Sequence, residues 1–208
     1  MIVVGCGGHA RFVISMLRSS IYQIEGLIDL CDNFDPLETI MGVSVIGGRS
    51  SLAVFHDRGF DKVILAIGDN SIRKEVYDEV VDLGFNLPCI THPSAFIDAS
   101  VVMAQGNIIG PNAVIGAEVV LGSNNIINSA AVIEHQTVVG DHCHISPSAT
   151  ICGCVCIGDE VLLGANSTVI PKITIASDTI VGAGATLIRS SHASDRTLVG
   201  NPARELIK

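Results

Sequence analysis

The chain has 208 residues, a net charge of −9, 48% apolar residues, 21 glycines and no tryptophan. So acidic a chain has no electrostatic hold on a nucleic-acid backbone, and so apolar a chain is not disordered. No apolar run reaches the ~18 residues of a membrane span, and the opening MIVVGCGGHAR lacks a basic start and an unbroken apolar run, which predicts a cytoplasmic protein without a signal peptide.

Residues 2–5 (IVVG) read as a short buried strand, followed by the Gly-rich GCGGHA and then Phe12, Val13, Met16 and Leu17 at helical spacing. Strand, glycine turn and helix form a phosphate cradle, because bare glycines let the backbone approach an anion and the helix start offers free N–H groups. Gly7, Gly8 and His9 are therefore candidate nucleotide-binding residues, though the spacing falls short of a dinucleotide fingerprint and also suits a tight turn without ligand. Residues 24–30 form a second strand with Asp29 near its C-terminal end, where a carboxylate can bind a ribose or base edge or serve as a cap. A third strand at 43–47, a helix over 49–57 closed by Gly59, a fourth strand at 62–68, a helix capped by Asp69 or Asn70 and a last strand at 85–90 complete the pattern. Alternating strands and helices predict a small parallel Rossmann-like sheet over residues 1–92, ending at His92-Pro93-Ser94.

Residues 93–208 follow another rule. From Ile97 to Val181 every sixth residue is aliphatic, without a slip in register. The fifth position of each block is mostly small, as at Ala113, Ala131, Ala149 and Ala185, and the second is often glycine. Such a period reads as a parallel β-helix in which three blocks close an eighteen-residue triangular coil with the aliphatic side chains inside. The last twenty or so residues, containing Gly200-Asn201-Pro202-Ala203-Arg204, read as an extended tail with a turn.

One stretch breaks the monotony of the solenoid wall. Residues 128–144 bring Asn128, Glu134, His135, Gln136, Asp141, His142 and His144 within one coil. Histidine is the side chain best matched to proton transfer near neutral pH, and His135 is the candidate base; His142 reads as a surface residue. Gly153 follows His135 by eighteen and so stacks one strand spacing above it, with an approachable N–H for an oxyanion. Ala165 and Ala183, also eighteen apart, would line a vertical groove. Cys152, Cys154 and Cys156 alternate as strand residues do, which allows a metal site but suits small wall residues equally well.

The stretches GCGGHA, NSAAVIEHQTVVGDHCHIS and GNPAR, together with the hexads, resemble the hexapeptide-repeat sugar-nucleotide N-acetyltransferases and sialic acid O-acetyltransferases over essentially the whole chain. The resemblance implies a left-handed β-helix, a homotrimer and acetyl-CoA as co-substrate, with no metal. It implies that His135 is the base, that Gly153 donates its N–H to the thioester oxygen, and that His144 lies near acetyl-CoA. Ala165 and Ala183 then lie along pantetheine between two subunits; Lys172 and Arg189 are candidates for the CoA phosphates and suit a solvated surface at least as well. Gly7, Gly8, His9 and Asp29 match the nucleotide-sugar site, and Asn128 matches a residue near the acceptor. The family usually has Glu after the catalytic His; here Gln136 stands there, with Glu134 and Asp141 as other carboxylates in reach. The expected activity is N-acetylation of a bacterial nucleotide-linked amino sugar of the UDP-4-amino type, for surface glycan or glycoprotein synthesis. O-acetylation of a sialic acid, a non-catalytic trimeric scaffold, and an NAD-dependent dehydrogenase built on the glycine turn are the alternatives.

Overall fold

The computed structural model describes residues 1–206. The chain divides into two compact units, Met1–Ile90 and Thr91–Lys208, two residues ahead of the expected break.

The first unit contains β1 (Ile2–Val4), α1 (Gly8–Arg18), β2 (Gly26–Asp29), β3 (Thr39–Ile40), β4 (Val43–Gly48), α2 (Leu52–Asp57), β5 (Val63–Leu65) and α3 (Asn70–Asp82). The sheet order is β3-β4-β2-β1-β5, parallel throughout its centre, with β3 antiparallel to β4 at one edge. The sheet is thus mixed, not parallel as expected. Strands buried on both faces read as continuous apolar runs, and Ile2, Val4, Ile28, Val63 and Leu65 pack with Val76 and Val80 of α3. The α1 stripe Ala10, Val13, Ile14, Met16 and Leu17 is buried along one side. Asp69 caps α3, its Oδ1 accepting from the Ile72 N–H at 2.9 Å. The expected strand at 85–90 shrinks to a single bridge between Lys62 and Asn86. Pro88 lies in the middle of that segment and has no N–H to continue a ladder.

The second unit is a triangular parallel β-helix. One wall stacks Phe96–Ile97, Val114–Ile115, Val132–Ile133, Thr150–Ile151, Thr168–Val169 and Thr186–Leu187. The second stacks Val102–Met103, Val120–Leu121, Val138–Val139, Cys156–Ile157 and Thr174–Ile175. The third runs through Ile108–Ile109, Ile126–Ile127, His144–Ile145, Leu162–Leu163 and Ile180–Val181. Every partner is eighteen residues away, and the second residue of nearly every strand is buried inside the prism. At ~4.8 Å per strand each coil adds one rung. The tail strands Thr197–Val199 and Arg204–Glu205 continue the third wall and cap it, the last pairing antiparallel.

Two features of the coil were not legible in the hexads. From Gly106 to Gly184 the fourth position of each block is left-handed, with φ of 75° and 68° at those two glycines and 55–64° at Asn112, Glu118, Asn124, Ala130, Gln136, His142, Ser148, Cys154, Glu160, Asn166, Lys172 and Asp178. Each corner turns on that residue, and it is seldom glycine. The fifth position is not always apolar either. At the corner between the second and third walls Asn107 and Asn125 are fully buried, and each amide bonds into the coil above. Asn107 Oδ1 accepts from Asn125 N–H at 2.9 Å, and Asn125 Oδ1 accepts from Cys143 N–H at 2.7 Å, a ladder that satisfies interior backbone groups.

Candidate active site

His135 occupies the third position of its hexad, at the corner between the first and second walls, and its side chain is exposed. Gly153 sits on the next coil at the same corner. A Cβ on Gly153 would lie 2.5 Å from His135 Cε1 and 2.6 Å from Nε2, so the imidazole lies flush on the coil only because that residue is glycine. The third-position N–H has no backbone acceptor in this coil. Side chains satisfy it elsewhere: Asp159 Oδ1 accepts from Asp141 N–H at 2.8 Å, Ser177 Oγ from Asp159 N–H at 3.0 Å, and Asn128 Oδ1 from Ser129 N–H at 2.8 Å. Among the described residues nothing accepts from Gly153 N–H, which stays open beside the imidazole.

Gln136 is the left-handed corner residue, φ 58°. Its Oε1 lies 3.4 Å from His135 Nδ1; an amide carbonyl only accepts, so in this orientation of the amide Nδ1 is the donor and Nε2 is left with its lone pair. The same oxygen lies 3.5 Å from Cys154 Sγ. Asp141 does not orient His135: its Oδ1 accepts from Ser123 N–H at 2.5 Å, at another corner. Glu134 is exposed. His142 is not the surface residue expected. It is buried at 8% exposure, with Nδ1 2.9 Å from Asn124 Nδ2, because the fourth-position geometry folds its ring over the coil below.

The other expected residues form a second cluster. Asn128 Nδ2 donates to His144 Nε2 at 3.1 Å. His144 belongs to the third wall, and Asn128 follows that wall one coil below. Ala165 and Ala183 are third-position residues at the corner between the third and first walls, half-buried and exposed respectively. That corner is not the one carrying His135 and Gly153, whose column continues through Pro171 to Arg189. The residues expected to act together thus lie on two corners of one prism. Arg189 lines a pocket of ≈260 Å³ with Arg204 at the tail end of the solenoid. Cys154 interrupts the strand alternation of Cys152 and Cys156, and among the described residues no group of three or more His, Cys, Asp or Glu converges on a metal position.

In the first unit the glycine turn opens a cleft of ≈340 Å³ lined by Gly5, Gly7, Gly8, His9, Leu30 and residues 66–69. Gly5 is forced, with φ +112° and a would-be Cβ 2.8 Å from Ala66 O. At Gly7 and Gly8 a Cβ would meet nothing within 4 Å, so these glycines face open space. His9 stacks on Phe12, ring centroids 5.2 Å apart. Asp29 ends β2 one residue before Leu30 reaches the cleft, and its Oδ1 accepts from Cys31 N–H at 2.8 Å. Beside it, burial first and the Asp29 charge second push the Cys6 thiol up to about 12, so Cys6 stays protonated. Sequence reading missed Arg73. It is fully buried on α3, and it donates to the carbonyls of Ile67 and Gly68 at 3.2 and 3.3 Å and to Asn70 Oδ1 at 2.9 Å. It thereby holds one wall of the cleft; in sequence it is one more charged residue on an amphipathic helix.

Comparison with known proteins defines the class. The chain belongs to the hexapeptide-repeat sugar N-acetyltransferases, and its solenoid is their left-handed parallel β-helix. Residues 1–80 match the family model described as the PglD N-terminal domain. Perosamine N-acetyltransferase from Caulobacter crescentus, solved as a histidine mutant with CoA and GDP-perosamine, is 33% identical with a TM-score of 0.94, over 100% of this chain and 96% of that one. The acetyltransferase domain of PglB from Neisseria gonorrhoeae, solved with acetyl coenzyme A, is 30% identical with a TM-score of 0.89, over 99% of this chain and 98% of that one. WeeI from Acinetobacter baumannii, 22% identical with a TM-score of 0.83, shares the fold. A curated relative, the uncharacterized protein L142 of Acanthamoeba polyphaga mimivirus, is 34% identical over 108 residues, 52% of this chain; the match spans 20% of its length.

Proposed function

We propose that the protein transfers the acetyl group of acetyl-CoA to the amino group of a nucleotide-linked amino sugar. The observation that carries this is the His135 imidazole lying against Gly153, with Nε2 bare and the Gly153 N–H open beside it. A base and an oxyanion donor one strand spacing apart suit acyl transfer from a thioester. Nε2 of His135 takes a proton from the acceptor amine as nitrogen attacks the thioester carbon. The Gly153 N–H receives the developing oxyanion. Collapse expels CoA as thiolate, which recovers the proton from the imidazolium, giving amide and free CoA without a covalent enzyme intermediate. The acceptor's nucleotide is assigned to the glycine cleft of the first unit, with Gly7, Gly8, His9 and Asp29 as its ligands.

The division of the candidate residues between two corners supports a trimer. A cyclic three-fold arrangement of prisms sets one corner of each subunit against a different corner of the next. His135 and Gly153 of one subunit would then face Asn128, His144, Ala165 and Ala183 of its neighbour, with pantetheine between them. The outward Val102, Val120 and Val138 of the second wall, exposed at 64, 41 and 43%, give that packing apolar area. No described helix is long and apolar enough to cross a membrane. Both co-substrates arise in the cytoplasm, and we place the enzyme there, in surface glycan or glycoprotein synthesis.

The test is CoA release from acetyl-CoA with GDP-perosamine, a UDP-linked 4-amino sugar and free sialic acid. Turnover of an amino-sugar nucleotide with amide formation is expected; turnover of sialic acid alone would overturn the reading.

A further inference from the structure

The reading above needs His135 in one tautomer, with the proton on Nδ1 and the lone pair on Nε2. In a chain with Glu after the base, either carboxylate oxygen can hold that proton. Here the residue is Gln136, whose two ends are chemically opposite. If its carbonyl faces the ring, Nδ1–H donates and Nε2 is free to accept. If its NH2 faces the ring, Nδ1 must accept, the proton moves to Nε2, and the base is blocked. His135 Nδ1 alone cannot fix the amide, because an imidazole adapts its tautomer to either face.

We propose that Cys154 is a positioning residue that holds the Gln136 amide with its carbonyl toward His135, and so sets the tautomer of the base. Cys154 stands eighteen residues after Gln136, at the left-handed position of the next coil, φ 60°, immediately after Gly153. Its Sγ lies 3.5 Å from Gln136 Oε1, the same oxygen that lies 3.4 Å from His135 Nδ1. A thiol donates and accepts only weakly. With the carbonyl toward the ring, the S–H and Nδ1–H both point at one acceptor. With the amide reversed, the NH2 group would donate to the thiol sulfur, a weak acceptor, in place of the S–H donating to a carbonyl oxygen, a strong one. The fixed corner geometry of the two coils makes this choice without any mobile element: Gln136 and Cys154 each turn their coil, so the two side chains emerge side by side. Cys154 is half-buried beside the exposed Gln136. The charge-free amide and the thiol together thus do the orienting for which the family uses a carboxylate.

The inference rests on His135 being the base, and the test separates the two. Histidine labelled with ¹⁵N in the full-length protein, at about pH 8.5, two units above the ordinary histidine value, reports which ring nitrogen carries the proton. The His135 signals are those missing from His135→Asn. The wild type is expected to show the Nδ1–H form. Loss of one hydrogen bond shifts such an equilibrium by about 3- to 10-fold, so Cys154→Ala should raise the Nε2–H population by that factor, while Cys154→Ser, which keeps a donor, should hold it near wild type. On Gln136→Glu the same Cys154→Ala change should shift the tautomer by less than about twofold, because a carboxylate has no wrong face. A wild-type Nε2–H form, a tautomer indifferent to Cys154→Ala, or an equal shift on Gln136→Glu overturns the proposal. If His135→Ala abolishes turnover while the tautomer ignores Cys154, the base stands and the positioning role falls. If His135→Ala retains turnover, the base assignment falls, whichever tautomer is seen.

Discussion

Adding one methyl group at Gly153 isolates the active corner from the rest of the fold. In Gly153→Ala the new Cβ would sit 2.5 Å from His135 Cε1 and 2.6 Å from Nε2, against ordinary contacts of 3.4 Å or more. The ring must therefore withdraw by roughly 1 Å, and misplacing a reacting group by that distance costs on the order of 10²-fold. The withdrawal is cheap in stability, because His135 is exposed and swings outward without disturbing the prism interior. Gly153 is not among the positive-φ glycines, so alanine suits its backbone. Stability should change by about 0.5 kcal/mol or less, roughly 2 °C in Tm for a chain of this size. CoA release followed with a thiol reagent, together with a melting curve, measures both. The expected result is kcat lowered by about 100-fold at an unchanged Tm. A variant keeping more than a tenth of wild-type kcat, or one losing activity only in proportion to a collapsed Tm, would refute the idea that the imidazole and this backbone form one catalytic unit.

Asp29→Ala should raise KM for the sugar nucleotide and leave KM for acetyl-CoA unchanged, as steady-state kinetics on each substrate would show; equal effects would contradict its assignment to the nucleotide. Asn125→Ala removes bonds to Cys143 N–H and Gly140 O inside the coil. It should cost about 2–6 kcal/mol by urea unfolding, one buried group at ~1–3 kcal/mol being left bare on each side. Mixing unfolded His135→Ala and His144→Ala chains and refolding them together should restore activity to about a quarter of the sites if each site joins corners of two subunits in a closed ring; two chains that never complement would show that each prism acts alone. Raising the pH past about 9 removes whatever stability Cys6 contributes, because its thiol titrates at about 12 in the folded chain and near 9.0 unfolded. Its contribution is complete below 9 and lost between the two values, so Cys6→Ala should flatten the alkaline limb of a stability–pH curve.

The aliphatic period predicted the first-position side chains that fill the solenoid; the fifth residue of each hexad also turns inward, small or polar, at the corners. Spacing by eighteen alone stacks Gly153 on His135. The corners were hidden. Glu118, Gln136 and Lys172 carry φ near +60° although none is a turn-forming residue; the coil above and below over-determines them. For the same reason His142 was misread as a surface group, since nothing in the sequence says that a fourth-position ring folds onto Asn124. Asn107 and Asn125 look like breaks in the hexad, yet their amides satisfy interior backbone groups. Arg73 was invisible because its partners are backbone carbonyls, which every sequence has. In the candidate site the residue types were legible; their division between two corners follows only when third and sixth positions are placed on particular walls.

The central claim is that His135 is the general base. Such assistance is typically worth 10²–10⁴-fold, and the side chain is exposed, so the solenoid does not need it. His135→Ala, assayed by CoA release with the accepted amino-sugar nucleotide and by acetyl-CoA binding, should lose at least ~100-fold in kcat while acetyl-CoA affinity is kept. Retention of more than a tenth of wild-type kcat would contradict the account.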